Sequence, residues 1–328
     1  MLAGSLNKGF RGSFAAVLVT YLLIAFFSFF SKTESDSYTY PNIFYNYLSA
    51  QIESEWVVLI CNHLLLLFGS GLIIYIISNE EVTDKQNFIP VYIFLLINAM
   101  AVVKYGLSLF MLSNVVVLYA ILQIFRIYRL EHALHHVFSA CFWISVSVYL
   151  NVVNLFFIPF LFTTLLILRP FYWREFANAL LGFITPIFMY ECMAYLFNSN
   201  QWYVFESTGE LFSHFKIPDF SFSYLPFFGV LMLLFTFSVF YFLSNGLGNS
   251  VKKQKAKSSF FWFLIFLSPA IFTTGMNDIN TLVLLSIPLS FLSGDFLFLI
   301  RSRRLANIIL VLLTGSALYY LIVNSFSV

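Results

Sequence analysis

Apolar residues in this chain come in long blocks broken by short polar stretches. Eleven mainly apolar runs can be marked, at 13–30, 56–77, 88–103, 106–124, 136–152, 153–168, 176–197, 223–244, 258–275, 280–299 and 305–324. A helix needs about 20 apolar residues to cross a hydrocarbon core, and fewer where the core is thin. The pattern therefore predicts an all-α, polytopic integral membrane protein of about eleven transmembrane helices. The fifth and sixth runs are short and separated only by "NVVN", so they form either a tight helical hairpin or a partly re-entrant pair. The third and fourth are joined by a turn around Lys104.

Composition agrees with a lipid solvent. Of 328 residues, 60% are hydrophobic and 10% charged, against about 25% charged in soluble proteins. Mean hydropathy is +0.88. Phe (43) suits lipid contact and packing, and Tyr (19) suits the headgroup belt. Lys8 and Arg11 precede the first run as in a signal peptide, but its exit "FFSFFSK" is too bulky for cleavage, which predicts an uncleaved signal-anchor. Cys61, Cys141 and Cys192 all sit in apolar runs, which argues against a disulfide framework.

The distribution of charge sets the direction of threading. With the N-terminus inside and strict alternation, fourteen of the seventeen basic residues fall on the inner side, leaving Lys32, Lys104 and Lys216 outside. That bias is the positive-inside rule, and it predicts an outer C-terminus. Two outer segments are long, 31–55 and 198–222, and both are acidic and aromatic. The stretch "NGLGNSVKKQKAK" (245–257) is linker-like. It divides 1–250, about eight spans, from 251–328, a three-span tail of the same membrane unit. Location in a bacterial inner membrane follows. No Walker loop, G-x-G-x-x-G or H-E-x-x-H occurs, and no basic run suggests nucleic acid, so neither a cofactor nor a nucleic-acid partner is expected.

Candidate chemistry is sparse. Glu34 and Asp36, just past the first run, are the candidate catalytic acids: at an outer interface a carboxylate can take a proton from an acceptor hydroxyl. The bland alternative is a solvated loop. His132, His135 and His136 are spaced to share one helical face, but with Glu131 as the only adjacent carboxylate no metal site is assigned. Arg169 and Arg174, in "RPFYWRE", mark a tight inner turn that can contact anionic lipid headgroups. The intramembrane polar residues are His63, Asn98 and Glu191, with Asn62, Asn114, Gln123, Asp278 and Asp295. Such groups face a protein interior or a water-filled cavity, and a single His or Asn is most often a helix–helix hydrogen bond. Asp295 lies close enough to the inner basic residues to pair with them.

Two resemblances rest on longer stretches. Residues 137–197, with the core "LRPFYWREF…LLGFITP" at 168–186, and "NDINTLVLLSIPLSFLSGDF" at 277–296 resemble an uncharacterised family of polytopic membrane proteins known mainly from Bacteroidota. That resemblance implies topology and no mechanism. The order of features is also similar to membrane-embedded glycosyltransferases of the C-type fold, which use polyprenyl-phosphate sugars. There the first outer loop holds the catalytic acid, so the resemblance puts Asp36 or Glu34 in that role, with a polyprenyl-phosphate-linked donor as partner. An inactive relative in envelope biogenesis fits the same features. A non-enzymatic scaffold bound to an envelope protein, and a transporter or flippase, are the alternatives.

Overall fold

The computed structural model describes residues 10–30, 55–85, 87–104, 109–128, 130–196, 225–244, 250–270, 279–300 and 302–326. Among them there are no strands and eleven α-helices, one for each apolar run. They are α1 (Phe10–Phe30), α2 (Glu55–Glu80), α3 (Ile89–Lys104), α4 (Leu109–Arg126), α5 (Leu134–Leu150), α6 (Phe157–Leu168), α7 (Trp173–Leu196), α8 (Leu225–Ser244), α9 (Val251–Leu267), α10 (Ile279–Leu299) and α11 (Arg303–Phe326). Four segments are long and apolar enough to cross a membrane: Trp56–Glu80, Trp173–Met193, Leu282–Leu299 and Arg303–Val323.

The ambiguous pair around "NVVN" becomes α5, a 3-10 turn at Val152–Phe156, and α6. Asn151 makes the break. Its side-chain oxygen accepts the Val153 N–H at 3.1 Å, giving the chain a turn that competes with continued helix. Asn154 then donates back to the Ser147 carbonyl at 3.0 Å and ties the turn to α5.

Contacts between helices fix their relative directions. Ser28 in the last turn of α1 meets His63 near the start of α2, so those two run antiparallel. Ser145 donates to the Phe183 carbonyl and Tyr149 to that of Ile187, so α5 and α7 run parallel. Asn87, just before α3, donates to the Gly294 carbonyl near the end of α10, making that pair antiparallel. Asn114 in the first half of α4 donates to Val283 in the first half of α10, a parallel pair. Each relation is the one strict up-and-down alternation requires.

The centre of the bundle is α3 and α10. Residues 87–102 of the α3 segment and 282–297 of α10 are buried on every side. α3 packs on α1, α2, α10 and α11, and α10 also touches α4, α8 and α9. Small residues permit this: Ser286, Ser290, Ser293 and Gly294 let neighbours approach α10 closely. A Cβ at Gly294 would sit 2.5 Å from a ring carbon of Pro90 and 2.7 Å from its backbone nitrogen, so only glycine fits this crossing. Gly182 plays the same part between α7 and α5, where a Cβ would lie 2.6 Å from the Phe138 carbonyl oxygen.

The peripheral helices show large apolar side chains outward. On α7 these include Leu181, Ile184, Phe188, Met189 and Met193, and on α11 Leu305, Ile308, Val311 and Leu312. In water such faces would be costly, while against lipid tails they carry no penalty.

One boundary differs from the sequence reading. The stretch 245–257 reads as a linker, yet residues 251–257 form the first two turns of α9. Lys, Gln and Ala are good helix formers, but local hydropathy could not show that "VKKQKAK" belongs to the bundle, because its anchors are acids and a carbonyl on other elements.

Candidate functional site

Two features stand out: a network of ion pairs at one end of the bundle, and an apolar cavity nearer its middle.

The ion-pair network is built on α9. Four lysines in the first turns of a helix oppose its macrodipole, which favours anions at that end. Each of the four has an acceptor on a different element. Lys252 pairs with Glu80 at the end of α2 at 3.6 Å, and Lys253 with Asp84 in the α2–α3 loop. Lys255 donates to the Leu168 carbonyl at the end of α6 at 3.0 Å, and Lys257 pairs with Asp295 of α10 at 2.5 Å. Lys252 and Lys255 also lie over the Tyr128 ring, both 5.7 Å from its centroid. Arg126, closing α4, joins through Glu80 at 3.5 Å and donates to the Tyr75 hydroxyl at 2.9 Å. Asp295 therefore pairs within the basic cluster, as its position suggested, and its partner is Lys257. That pair is the most enclosed, with the two side chains 13% and 8% exposed. An ion pair so shielded keeps much of its attraction but has given up its hydration.

Arg169 and Arg174 have unlike surroundings. Arg169 is turned into the protein, paired with Glu175 at 3.1 Å and lying over the Tyr172 ring. Arg174 is exposed and lies 5.8 Å from the Trp173 ring centroid. Phe171, Tyr172 and Trp173 are exposed beside it, an aromatic and cationic rim of the kind found at a headgroup layer. Of the two, Arg174 is the one in position to meet a headgroup.

The three histidines do not converge. His132 lies in the turn before α5, not on a helical face with the others, and both it and His135 are exposed. His136 turns inward and hydrogen-bonds the Gln123 side chain at 2.8 Å. Among the described residues no group of three His, Cys, Asp or Glu side chains is set to hold a metal.

Of the other intramembrane polar residues, His63 makes a contact between helices. His63, 7% exposed, hydrogen-bonds Ser28 at 2.8 Å through Nε2 and meets the Tyr21 ring edge-on. Its Nδ1 is buried with no hydrogen-bond partner. Asn98 donates to the Phe94 carbonyl of its own helix at 2.8 Å. Glu191 is half-buried in the last turns of α7. Glu34 and Asp36, the candidate catalytic acids, lie outside the described residues, as do nearly all of the segments 31–55 and 198–222.

The cavity was not foreseen in the sequence. It holds about 230 Å³ between α8, α9 and α10, with Phe228, Leu231 and Phe235 on one wall, Phe261 and Leu264 on the other and Leu285 on the floor. Its one polar lining residue, Ser268, spends its proton on the Ile265 carbonyl. No motif marks it, because it arises from the angle between helices and not from any single stretch of chain. Comparisons with protein-family models, with curated proteins and with solved structures return no match to this chain.

Proposed function

We propose that the chain is a multi-pass protein of the bacterial inner membrane. On this reading eleven helices cross, the N-terminus is inside and the C-terminus outside, and the working surface faces outward. The observation that carries it is the asymmetry of the bundle. Ion pairs on α9 tie α2, the α2–α3 loop, α4 and α10 together at one end, and a lysine–carbonyl bond adds α6. The same end collects the basic residues that the positive-inside rule assigns to the cytoplasm. An end laced in this way is poorly suited to the alternating opening that a transporter needs. Chemistry or binding then belongs to the other side, to which the charge pattern of the sequence assigns the long segments 31–55 and 198–222.

Within that frame the leading activity is glycosyl transfer from a polyprenyl-phosphate-linked donor, with Asp36 or Glu34 as general base, or a role in envelope biogenesis as an inactive relative. The test is direct. Purified protein and the Asp36→Asn and Glu34→Gln variants are given polyprenyl-phosphate sugars and scored for transfer. Loss of turnover in one variant, with the protein still in the membrane, supports the reading. Transfer unchanged in both variants removes the assigned base, and transfer absent in the parent protein removes the activity and leaves only the inactive relative. The scaffold reading draws on α7. This peripheral helix packs mainly on α5 and leaves Phe188, Met189 and Met193 outward, a face that can seat an envelope protein's helix as readily as lipid.

A further inference from the structure

We propose that the cavity between α8, α9 and α10 is a binding site for one acyl chain of a membrane phospholipid. The inference rests on the membrane reading above and is independent of the glycosyltransferase reading.

The geometry is a wedge. The Phe242 and Phe261 rings meet with centroids 5.7 Å apart, so α8 and α9 touch near the charged end. α8 is otherwise held by α10 and α11, while α9 is held by α6 and α10. Both rest on α10 but each has a different second partner, α11 for α8 and α6 for α9, and they leave the cavity between them, with Leu282, Leu285 and Leu289 of α10 as its floor. The wall residues alternate on helical spacing: Phe228, Leu231, Met232 and Phe235 on α8, and Phe261, Leu264, Ile265 and Ser268 on α9. Each set is a stripe of one helical face.

Depth identifies the occupant. Lys257 and Asp295 form the innermost ion pair of the network and mark a level in the bundle. At 1.5 Å per residue, Phe261 lies about 6 Å and Ser268 about 16 Å beyond Lys257, and Leu289 and Leu282 lie about 9 and 20 Å beyond Asp295. A hydrocarbon core is about 30 Å thick, so the cavity falls within it whichever way the bundle is inserted. The lining offers a water only the Ser268 oxygen, whose proton is already given to the Ile265 carbonyl, and a held water needs two or more partners. An empty void would forfeit dispersion contacts along all three walls. What reaches this depth is a lipid tail. An engineered apolar cavity of about 150 Å³ accepts a benzene ring, so 230 Å³ takes a somewhat longer piece of hydrocarbon, part of one acyl chain. The lining is itself partly open, with Phe228, Met232, Phe235 and Phe261 half-buried and Ile265 exposed, so a chain enters sideways with its headgroup left at the bilayer surface.

The test uses a phosphatidylethanolamine with a photoreactive diazirine in one acyl chain, reconstituted with the full chain in vesicles. Crosslinked peptides are mapped by mass spectrometry. The expected result is labelling of 228–235, 261–268 and 282–289 at least tenfold above that of the outward faces of α7 and α11. Filling the cavity with Leu285→Trp should abolish the excess. Leu312→Trp, on the outward face of α11, should leave it unchanged. If Leu285→Trp does not accumulate, Met232→Phe fills the same space from the α8 wall with a smaller change. Labelling spread evenly over the outward faces, or an excess that survives filling, overturns the proposal. A protein recovered without membranes would instead overturn the membrane reading beneath it. Competition of the label by a polyprenyl phosphate but by no phospholipid would also overturn it, reassigning the cavity to a lipid-linked donor.

Discussion

At the scale of single residues, the most exacting position is Gly294. α3 and α10 cross where Pro90 rests on Gly294, and Asn87 donates to the Gly294 carbonyl at 3.1 Å. The atoms that a new methyl would meet are the backbone nitrogen and ring carbons of a proline, neither of which can rotate away. Gly294→Ala should therefore part the two central helices and cost about 1–3 kcal/mol, the usual range for overpacking. Thermal unfolding in detergent would show it. Gly71→Ala, with nothing within 4 Å of the new methyl, is the matched control and should leave the midpoint unchanged or slightly raised. A midpoint for Gly294→Ala equal to that of the control would show that this crossing is not tight. Glu81 is the reverse case. It follows α2 with φ at 51°, a left-handed conformation that glycine adopts freely and other residues adopt at a cost. The ammonium of Lys85, hydrogen-bonded to it at 2.8 Å, holds its carboxyl below the ordinary carboxylate range. Whatever that contact contributes is present above the ordinary carboxylate pKa and fades as pH falls through the lowered one. Both side chains are well exposed, so the pair is worth little. Glu81→Gly should thus stabilise, by up to about 1 kcal/mol, in the same unfolding measurement at neutral pH. A fall in the midpoint would mean that the ion pair outweighs the backbone.

Among the elements, α9 shows both what could be read in the sequence and what could not. The runs of apolar residues were legible as helices because hydropathy over a dozen or more residues is a sum, and sums are robust. Where one helix is extended by groups on others, the sum fails. "VKKQKAK" looks like a solvated linker until Glu80, Asp84, the Leu168 carbonyl and Asp295 are brought to it. For the same reason His63 could be recognised as a buried polar group, while its partner Ser28, thirty-five residues away, could not. The cavity was wholly hidden, being a property of three helices at once. The Lys257–Asp295 pair gives this picture a quantitative test. Asp295→Leu leaves a largely enclosed ammonium without its partner, which should cost roughly 3–5 kcal/mol. Replacing both, Lys257→Met with Asp295→Leu, removes the attraction and the desolvation together and should recover most of that loss. A double-mutant cycle on unfolding in detergent reads the coupling. If the double variant is as unstable as the sum of the singles, the two side chains do not act as a pair.

For the whole molecule, the decisive question is whether the alternation seen within the bundle is also alternation across a bilayer. Side-chain contacts fix the relative directions of four helix pairs, α1–α2, α3–α10, α4–α10 and α5–α7, and each agrees with odd- and even-numbered helices running opposite ways. The contacts owe nothing to the positions of exposed basic residues, so they test the threading independently of the positive-inside rule. Both lines lead to one expectation. A reporter fused after Ser250, at the start of α9, should lie in the cytoplasm, and one fused after Val328 should lie outside. Ser250 precedes the lysines that build the ion-pair network, and on the eleven-span reading α9 to α11 then cross three times, an odd number. Alkaline phosphatase, active only outside, and a fluorescent protein that matures only inside give opposite readouts at each point. Both fusions on the same side would require one of the last three helices not to cross. Suspicion would then fall on α9, which spends its first two turns among charges and is only 17 residues long. The cycle on Lys257 and Asp295 bears on the same point from within. These residues sit one turn inside the charged end, so a pair that couples strongly places that end of α9 beside α10 and beyond the reach of water. With Lys257 and Asp295 paired, the start of α9 lies beside the end of α10, so these two helices run antiparallel, as strict alternation expects.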